Sequence, residues 1–250
     1  MVTGNAPAIE RGELEITFDV APVRGVGEAL SLAGTLFLRN LRIIILIEVP
    51  LVAVRLFLFD EHLKPFVVSA NIGIAFPLFM AYALCFEALS LPTIIYAAVR
   101  SLDSGKSTSI AAAVMWGAKK WLPTLLYLGL STCVVVVGLV LLVVPGIIAA
   151  VALCLVGPIV AIEGVRRENP LVRSRDLTEG RLMRIFEALA VCFAVGVAVS
   201  FVADLVMRLE IGWLYTGFGF LQAVASHFLT MLSLVFYLDS PKRGRGVVAV

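Results

Sequence analysis

Four polar side chains interrupt the apolar segments of this 250-residue chain at positions where they could do chemistry: Glu48, Glu87, Gln222 and His227. An ionised carboxylate in mid-membrane costs at least about 2.5–3.5 kcal/mol on insertion scales, so each acidic residue needs a partner, a proton or water. Helix rise places Glu48, Glu87 and His227 at similar depths, where they could meet. The first interpretation is tight helix packing through interhelical hydrogen bonds. The alternatives are a solute or proton path lined by all four residues, and a site for a lipid or a partner subunit.

A second polar group follows the longest apolar run. Its members are Glu163, Arg166, Arg167, Arg173, Ser174 and Arg175. Glu163 ends the run, and the arginines at 173 and 175 lie on the next short helix, which predicts an interfacial ion pair that clamps this helix to the span. The competing use is binding of anionic lipid headgroups, for which each basic residue near the surface contributes about 1 kcal/mol. The two uses can coexist.

The remaining residue types argue against catalysis. Two histidines, His62 and His227, cannot form a metal site or a catalytic triad between them, and Gly105-Lys106-Ser107 lacks the leading glycine of a phosphate-binding loop. The four cysteines are best interpreted as small buried hydrophobic residues, because each falls within an apolar run: Cys85, Cys133, Cys154 and Cys192. The basic residues are not interleaved with aromatic platforms. We therefore expect no enzymatic activity, no cofactor, no metal and no nucleic-acid partner.

The elements that position these residues are membrane-spanning helices. Hydrophobic residues make up 60% of the chain and charged residues only 15%, a composition typical of polytopic membrane proteins. No charged side chain occurs between Trp121 and Ile162. This run is about twice the length of one span, so it must fold back. Pro145 and Gly146 interrupt it, which predicts two antiparallel spans joined by a turn at Val144-Pro145-Gly146.

The whole chain is predicted to be all-α, with six transmembrane helices in one membrane domain, 27–240. The predicted spans are about 41–59, 71–99, 121–144, 146–162, 182–206 and 212–238. A polar tail, 1–26, precedes the domain and a basic tail, 241–250, follows it. Residues 13–20 alternate as a strand would, and we favour a loose tail over a docked strand.

Three elbow-plus-hairpin units account for the six spans. In each, an amphipathic interfacial helix leads into an outgoing span that returns, and the interfacial helices are predicted at 27–40, 110–119 and 169–180. Gly180 ends the third of them as a helix stop. The alternative to three interfacial helices is that these segments are ordinary basic loops, which look amphipathic wherever they precede a span.

The basic residues near the predicted span ends indicate the orientation. Most of them fall on one side, and only Arg55, Lys64 and Arg208 fall on the other. Because cytoplasmic loops carry the excess of lysine and arginine, both termini are predicted to be cytoplasmic. The expected location is a bacterial inner membrane.

Three segments carry a resemblance to a known family. They are Leu141 to Ile148, Pro158 to Gly164, and Arg173 to Arg181. In these segments the chain resembles the membrane domain attached to some glycerophosphoryl diester phosphodiesterases, and YciC-like bacterial inner-membrane proteins. The resemblance implies a six-helix integral membrane protein. The phosphodiesterase chemistry of the fused relatives belongs to a separate barrel domain, for which this chain has no length.

The leading functional expectation is a non-enzymatic scaffold or accessory subunit. Its interfacial helices would engage membrane lipids, through their headgroups, or a partner membrane-protein complex. The alternative is a small transporter or permease with a polar intramembrane site around Glu48, Glu87 and His227. The oligomeric state stays open.

Overall fold

A computed structural model describes residues 23–56, 72–104, 108–165, 168–207 and 212–240. These residues form eight helices and no β-strand, which confirms the all-α prediction. The helices are α1 (Val26–Leu56), α2 (Ile72–Ser104), α3 (Ile110–Leu141), α4 (Val143–Leu153), α5 (Val156–Ile162), α6 (Pro170–Thr178), α7 (Leu182–Met207) and α8 (Gly212–Leu238). The alternating segment 13–20 and the basic tail 241–250 lie outside the described residues.

Five helical segments of the described chain are long and apolar enough to cross a membrane. They are Ala83–Asp103, Ile110–Leu141, Val143–Ile162, Leu182–Val202 and Phe220–Leu238. They coincide with the second to sixth predicted spans. The first predicted span, 41–59, continues beyond the described residues, and α1 is not among the five. The chain thus has the helices of a multi-pass membrane protein, and a sixth span stays a prediction.

Burial separates central helices from peripheral ones. The apolar windows of α2 and α8 are each 61% buried within the protein, whereas those of α3 and α7 are only 11% buried. Because an exposed apolar helix face is stable in lipid, α3 and α7 have the character of the outer wall of a membrane bundle. All seven residues of α5 are buried, and this helix contacts α2, α3 and α8. The core is therefore thickest at the end of the bundle where α5 and α6 lie, called here the elbow end.

Two of the predicted interfacial helices do not exist as separate elements. Segment 27–40 continues into the rest of α1, and segment 110–119 continues into the rest of α3. The second of these helices is continuous even though Gly117 and Pro123 lie within it close to the junction. Inside α1, the Asn40 amide donates to the Leu36 carbonyl at 2.8 Å and to Ser101 Oγ of α2 at 3.2 Å. Only the third interfacial segment is a separate helix, α6, and it is followed by Gly180 with a φ of 78°.

The turn between α3 and α4 lies three residues before the predicted one. Leu142 is extended, with a φ of −156°, and separates the two helices. Pro145 and Gly146 belong to the first turn of α4. The prediction of a turn at Val144-Pro145-Gly146 is wrong because the first turn of a helix has free N–H groups, so proline is tolerated there.

Gly146 is required by close packing. A Cβ at this position would lie 2.5 Å from the backbone nitrogen of Leu139, and a Cβ at Gly138 would lie 2.9 Å from the Gly146 Cα. The two glycines therefore let α3 and α4 approach each other directly after the turn.

The predicted fourth span, 146–162, is divided. Residues 154 and 155 separate α4 from α5. Pro158 explains the break, because it has no N–H to donate and its ring opposes the carbonyl of the residue four positions earlier, Cys154. The two short helices together still make one segment long enough to cross the membrane.

We predict that Gly146→Ala lowers the thermal stability of the protein in detergent. The added methyl group must displace the backbone of α3, and overpacking of this kind costs about 1–3 kcal/mol. The control is Gly196→Ala on α7, where a Cβ meets no atom within 4 Å. The apparent melting temperature should fall for Gly146→Ala alone. An equal effect of both substitutions would contradict the packing role.

Candidate functional site

A buried hydrogen bond joins α1 to α8. The His227 Nε2 atom lies 2.6 Å from Glu48 Oε1, and the exposed fractions of the two residues are 1% and 7%. We assign the ring proton to Nε2, because a carboxylate oxygen only accepts and a neutral imidazole has one N–H to donate. The pairing supplies each of these two predicted site residues with a partner, as their burial requires.

The other ring nitrogen of His227 lacks such a partner. Its Nδ1 atom is buried and makes no hydrogen bond within the described residues. With the proton on Nε2, Nδ1 carries a lone pair and can accept. The imidazole is therefore fixed through Nε2, and its Nδ1 atom is enclosed by protein atoms.

A cavity of about 110 Å³ lies beside this pair, between α1, α2 and α8. Its polar lining consists of Glu48, Glu87, Ser90, Ser226 and His227, and the Phe86 ring adds an aromatic wall. A water molecule occupies about 30 Å³ of the liquid, so the space suits three or four waters or one small solute. The structure thus brings together three of the four residues predicted to form an intramembrane polar group.

Gln222 does not belong to this cavity. Its side chain is exposed, and its Nε2 atom donates to Ser200 Oγ of α7 at 3.5 Å. Five residues separate Gln222 from His227, which places them about 140° apart around α8. Gln222 therefore lies outside the lining of this cavity, since it differs from His227 by about 7.5 Å in depth along α8 as well as in angle.

The predicted clamp at the elbow end contains an additional partner. Arg173 Nε donates to Glu163 Oε2 at 3.3 Å, and the Tyr237 hydroxyl donates to Glu163 Oε1 at 2.8 Å. Glu163 thereby links the end of α5 to α6 and to α8. No pattern in the sequence indicates that Tyr237 makes this contact. Arg175 is exposed, and Arg166 and Arg167 lie outside the described residues.

Ser174 fastens α6 at the break between α4 and α5. Its fully buried hydroxyl donates to the carbonyl of Ala152 at 2.7 Å. The Thr178 hydroxyl donates to the Arg175 carbonyl at 3.0 Å and lies 3.5 Å from the Ala152 carbonyl. Both hydroxyls lie on one face of α6, four residues apart. Ser174 therefore has an internal role and does not face a headgroup.

A second ion pair at the elbow end was not predicted. Arg181 donates to the Asp239 carboxylate at 3.0 Å and to the carbonyl oxygens of Asp239 and Phe236 at 2.9 and 2.8 Å. Asp239 Oδ1 in turn accepts from the Val23 N–H at 2.7 Å, and Arg184 donates to the Val23 carbonyl at 2.9 Å.

This junction ties three parts of the chain together. Arg181 donates hydrogen bonds to terminal carbonyls of α8 that have no partner inside the helix. Asp239 accepts a hydrogen bond from the segment before α1. Burial lowers the pKa of Arg181, and the nearby Asp239 carboxylate opposes that shift. An aspartate directly after the last apolar run is the one signal in the sequence that could have indicated the pair.

We predict that Arg181→Met destabilises the protein strongly. The change leaves the Asp239 carboxylate buried without its cation, and breaking a buried ion pair costs about 3–5 kcal/mol. The matched control is Arg175→Met on the exposed face of α6. The apparent melting temperature in detergent should fall by several degrees more for Arg181→Met. Equal melting temperatures for the two variants would rule out the structural role of Arg181.

The described residues do not include three His, Cys, Asp or Glu side chains grouped so as to hold a metal ion. Comparisons with protein-family models, with curated proteins and with solved structures find no match to this chain. Fold and site together define the class: a helical, multi-pass membrane protein with a small polar cavity inside its bundle.

Proposed function

We propose that this protein is a small non-enzymatic transporter or permease of a bacterial inner membrane, with both termini in the cytoplasm. Its solute site is the cavity between α1, α2 and α8. The observation that carries the proposal is the buried Glu48–His227 pair beside about 110 Å³ of space. The solute class is the subject of the next section.

The cavity supports a binding role over a packing role. The two side chains are themselves almost fully buried, and the space beside them is bordered by further polar groups, Glu87, Ser90 and Ser226. Such a space in a membrane protein holds water or a polar solute, because an empty polar cavity leaves its hydrogen-bonding groups unsatisfied.

Two prolines lie close to the cavity. Pro50 follows Glu48 by two residues in α1, and Pro92 follows Ser90 by two residues in α2. A proline inside a helix removes one hydrogen bond of the ladder and favours local bending. Bending of α1 and α2 at these points would change access to the cavity, as transport requires.

We predict that the purified protein raises the permeability of liposomes to at least one small polar solute. The panel is urea, formamide and glycerol, followed by stopped-flow light scattering, with radiolabelled methylammonium uptake as a charged member. The permeability gain should fall at least tenfold in Glu48→Gln and Glu87→Gln, because both side chains line the cavity.

The control is Gln222→Ala, which lies on α8 outside the cavity and should keep the wild-type rate. Size-exclusion profiles show whether each variant is assembled. If no solute crosses faster than in protein-free liposomes, or if assembled Glu48→Gln and Glu87→Gln proteins keep the full rate, the transporter proposal fails.

A second candidate is the scaffold or accessory subunit that binds lipid headgroups or a partner complex. What supports it is the outer face of α6, where Arg175 is exposed and Val172 is 55% exposed. Arg173 and Ser174 are engaged within the protein, so Arg175 is the residue of this helix that remains for a headgroup. The three segments that carry the resemblance support a relationship to the phosphodiesterase membrane-domain family, which we also propose.

We predict that Arg175→Gln lowers the retention of anionic phospholipid during purification in mild detergent. Loss of one surface cation reduces the affinity by about 1 kcal/mol, or about fivefold. Arg175→Lys keeps the positive charge at the same exposed position and is the control. Quantitative lipid mass spectrometry gives the measurement. Identical lipid content in the wild type and Arg175→Gln would remove the support for a headgroup site on α6.

A further inference from the structure

The cavity between α1, α2 and α8 has a composition that selects for one kind of solute. We infer that it binds a small alkylammonium ion, of which methylammonium is the simplest example. This inference rests on the proposed function, since it names the solute class for the same cavity. It follows from the hydrogen-bonding capacity, the charge and the size of the lining.

The described polar groups of the lining are acceptors. Ser90 Oγ donates its proton to the Glu87 carbonyl at 3.4 Å, and Ser226 Oγ donates to the Ala223 carbonyl at 2.7 Å. Each hydroxyl therefore keeps lone pairs and no proton for a ligand. A solute that matches this site must be a hydrogen-bond donor.

The charge of the lining favours a cation. The ionisable side chains among its described residues are two carboxyl groups, Glu48 and Glu87, and the imidazole of His227. The hydrogen bond to His227 Nε2 orients the Glu48 carboxylate. Because the interior of a membrane protein screens charge weakly, a cation in the cavity interacts strongly with this carboxylate and an anion is repelled.

The size and the apolar part of the lining distinguish an organic ammonium from a metal ion. Leu51, Val52, Ala83 and the Phe86 ring supply hydrocarbon around the polar groups. A metal cation in place of water requires oxygen ligands on most sides, which these residues do not offer. An ammonium head has N–H donors for the acceptors, and its methyl groups can contact the apolar wall. The Phe86 ring can add a cation–π interaction.

Equilibrium binding of radiolabelled methylammonium to the full-length protein in detergent tests the inference. We expect saturable binding, and at least a tenfold weaker affinity in Glu48→Gln. A second variant, Ala83→Leu, fills the cavity without changing a charged or hydrogen-bonding group, and we expect it to reduce binding to a similar extent. Gln222→Ala is the control that should bind as the wild type does. Melting temperatures and size-exclusion profiles identify any variant that has failed to fold.

Competition distinguishes the solute classes. Unlabelled dimethylammonium should displace the label, whereas sodium, urea and acetate should not do so at equal concentration. Displacement by sodium would assign the cavity to a monovalent metal ion and overturn the inference. Displacement by urea, or absence of saturable binding to folded wild-type protein, would also overturn it.

The outcome is separable from that of the proposed function. If urea or glycerol crosses liposomes in a Glu48-dependent way and methylammonium does not bind, the transporter proposal stands and the ammonium inference fails. If methylammonium binds in a Glu48-dependent way and no solute crosses, the site is correctly assigned and transport is not its purpose.

Discussion

The carboxyl group of Glu48 constrains where α1 can lie. The described part of α1 carries Arg39, Arg42 and Glu48, and Glu48 is buried within the bundle. Its hydrogen bond to His227 satisfies a group that is too costly to leave alone in an apolar interior. The pair also holds α1 along α8, one of the most buried helices of the bundle. The cavity exists because α2 completes the third side of the space next to this pair.

The same constraint explains the construction of the elbow end. A backbone carbonyl in hydrocarbon has no water to bind, so a helix break or helix end needs a donor from another element. At the break between α4 and α5, Ser174 donates to the Ala152 carbonyl. At the end of α8, Arg181 donates to the carbonyls of Phe236 and Asp239. The short helix α6 and the start of α7 are thus fixed by the polar groups that neighbouring helices leave unpaired.

The sequence predicts the all-α fold and most of the span positions, because the length of an apolar run is set by membrane thickness and does not depend on tertiary contacts. Details that depend on a neighbour were not predicted. Pro145-Gly146 resembles a turn, yet the proline is tolerated in the first turn of α4 and the glycine is needed for contact with Leu139. The helices expected to be separate before the first and second hairpins instead continue into the rest of α1 and α3.

Prediction of the site is limited in the same way, because contacts between helices depend on the tertiary arrangement. Depth along a helix follows from counting residues, and the three residues expected at similar depth, Glu48, Glu87 and His227, all line the cavity. Gln222 differs from His227 both in depth, by about 7.5 Å, and in the angle around α8. The Arg181–Asp239 pair joins residues from different helices, and only the tertiary arrangement of α7 and α8 brings them together.

The arginines at the elbow end divide into two groups with different consequences. Arg173 and Arg181 hold other parts of the chain through hydrogen bonds, so recruiting them to a lipid phosphate would release α6 or the end of α8. Arg175 is exposed, so binding a lipid phosphate there would not release another part of the chain. A count of basic residues therefore overstates the charge available to a ligand. In the cavity, the Ser90 and Ser226 hydroxyls donate to carbonyls of their own helices and keep lone pairs for a solute. Of the two candidate surfaces, the cavity thus has the greater capacity left over for a solute.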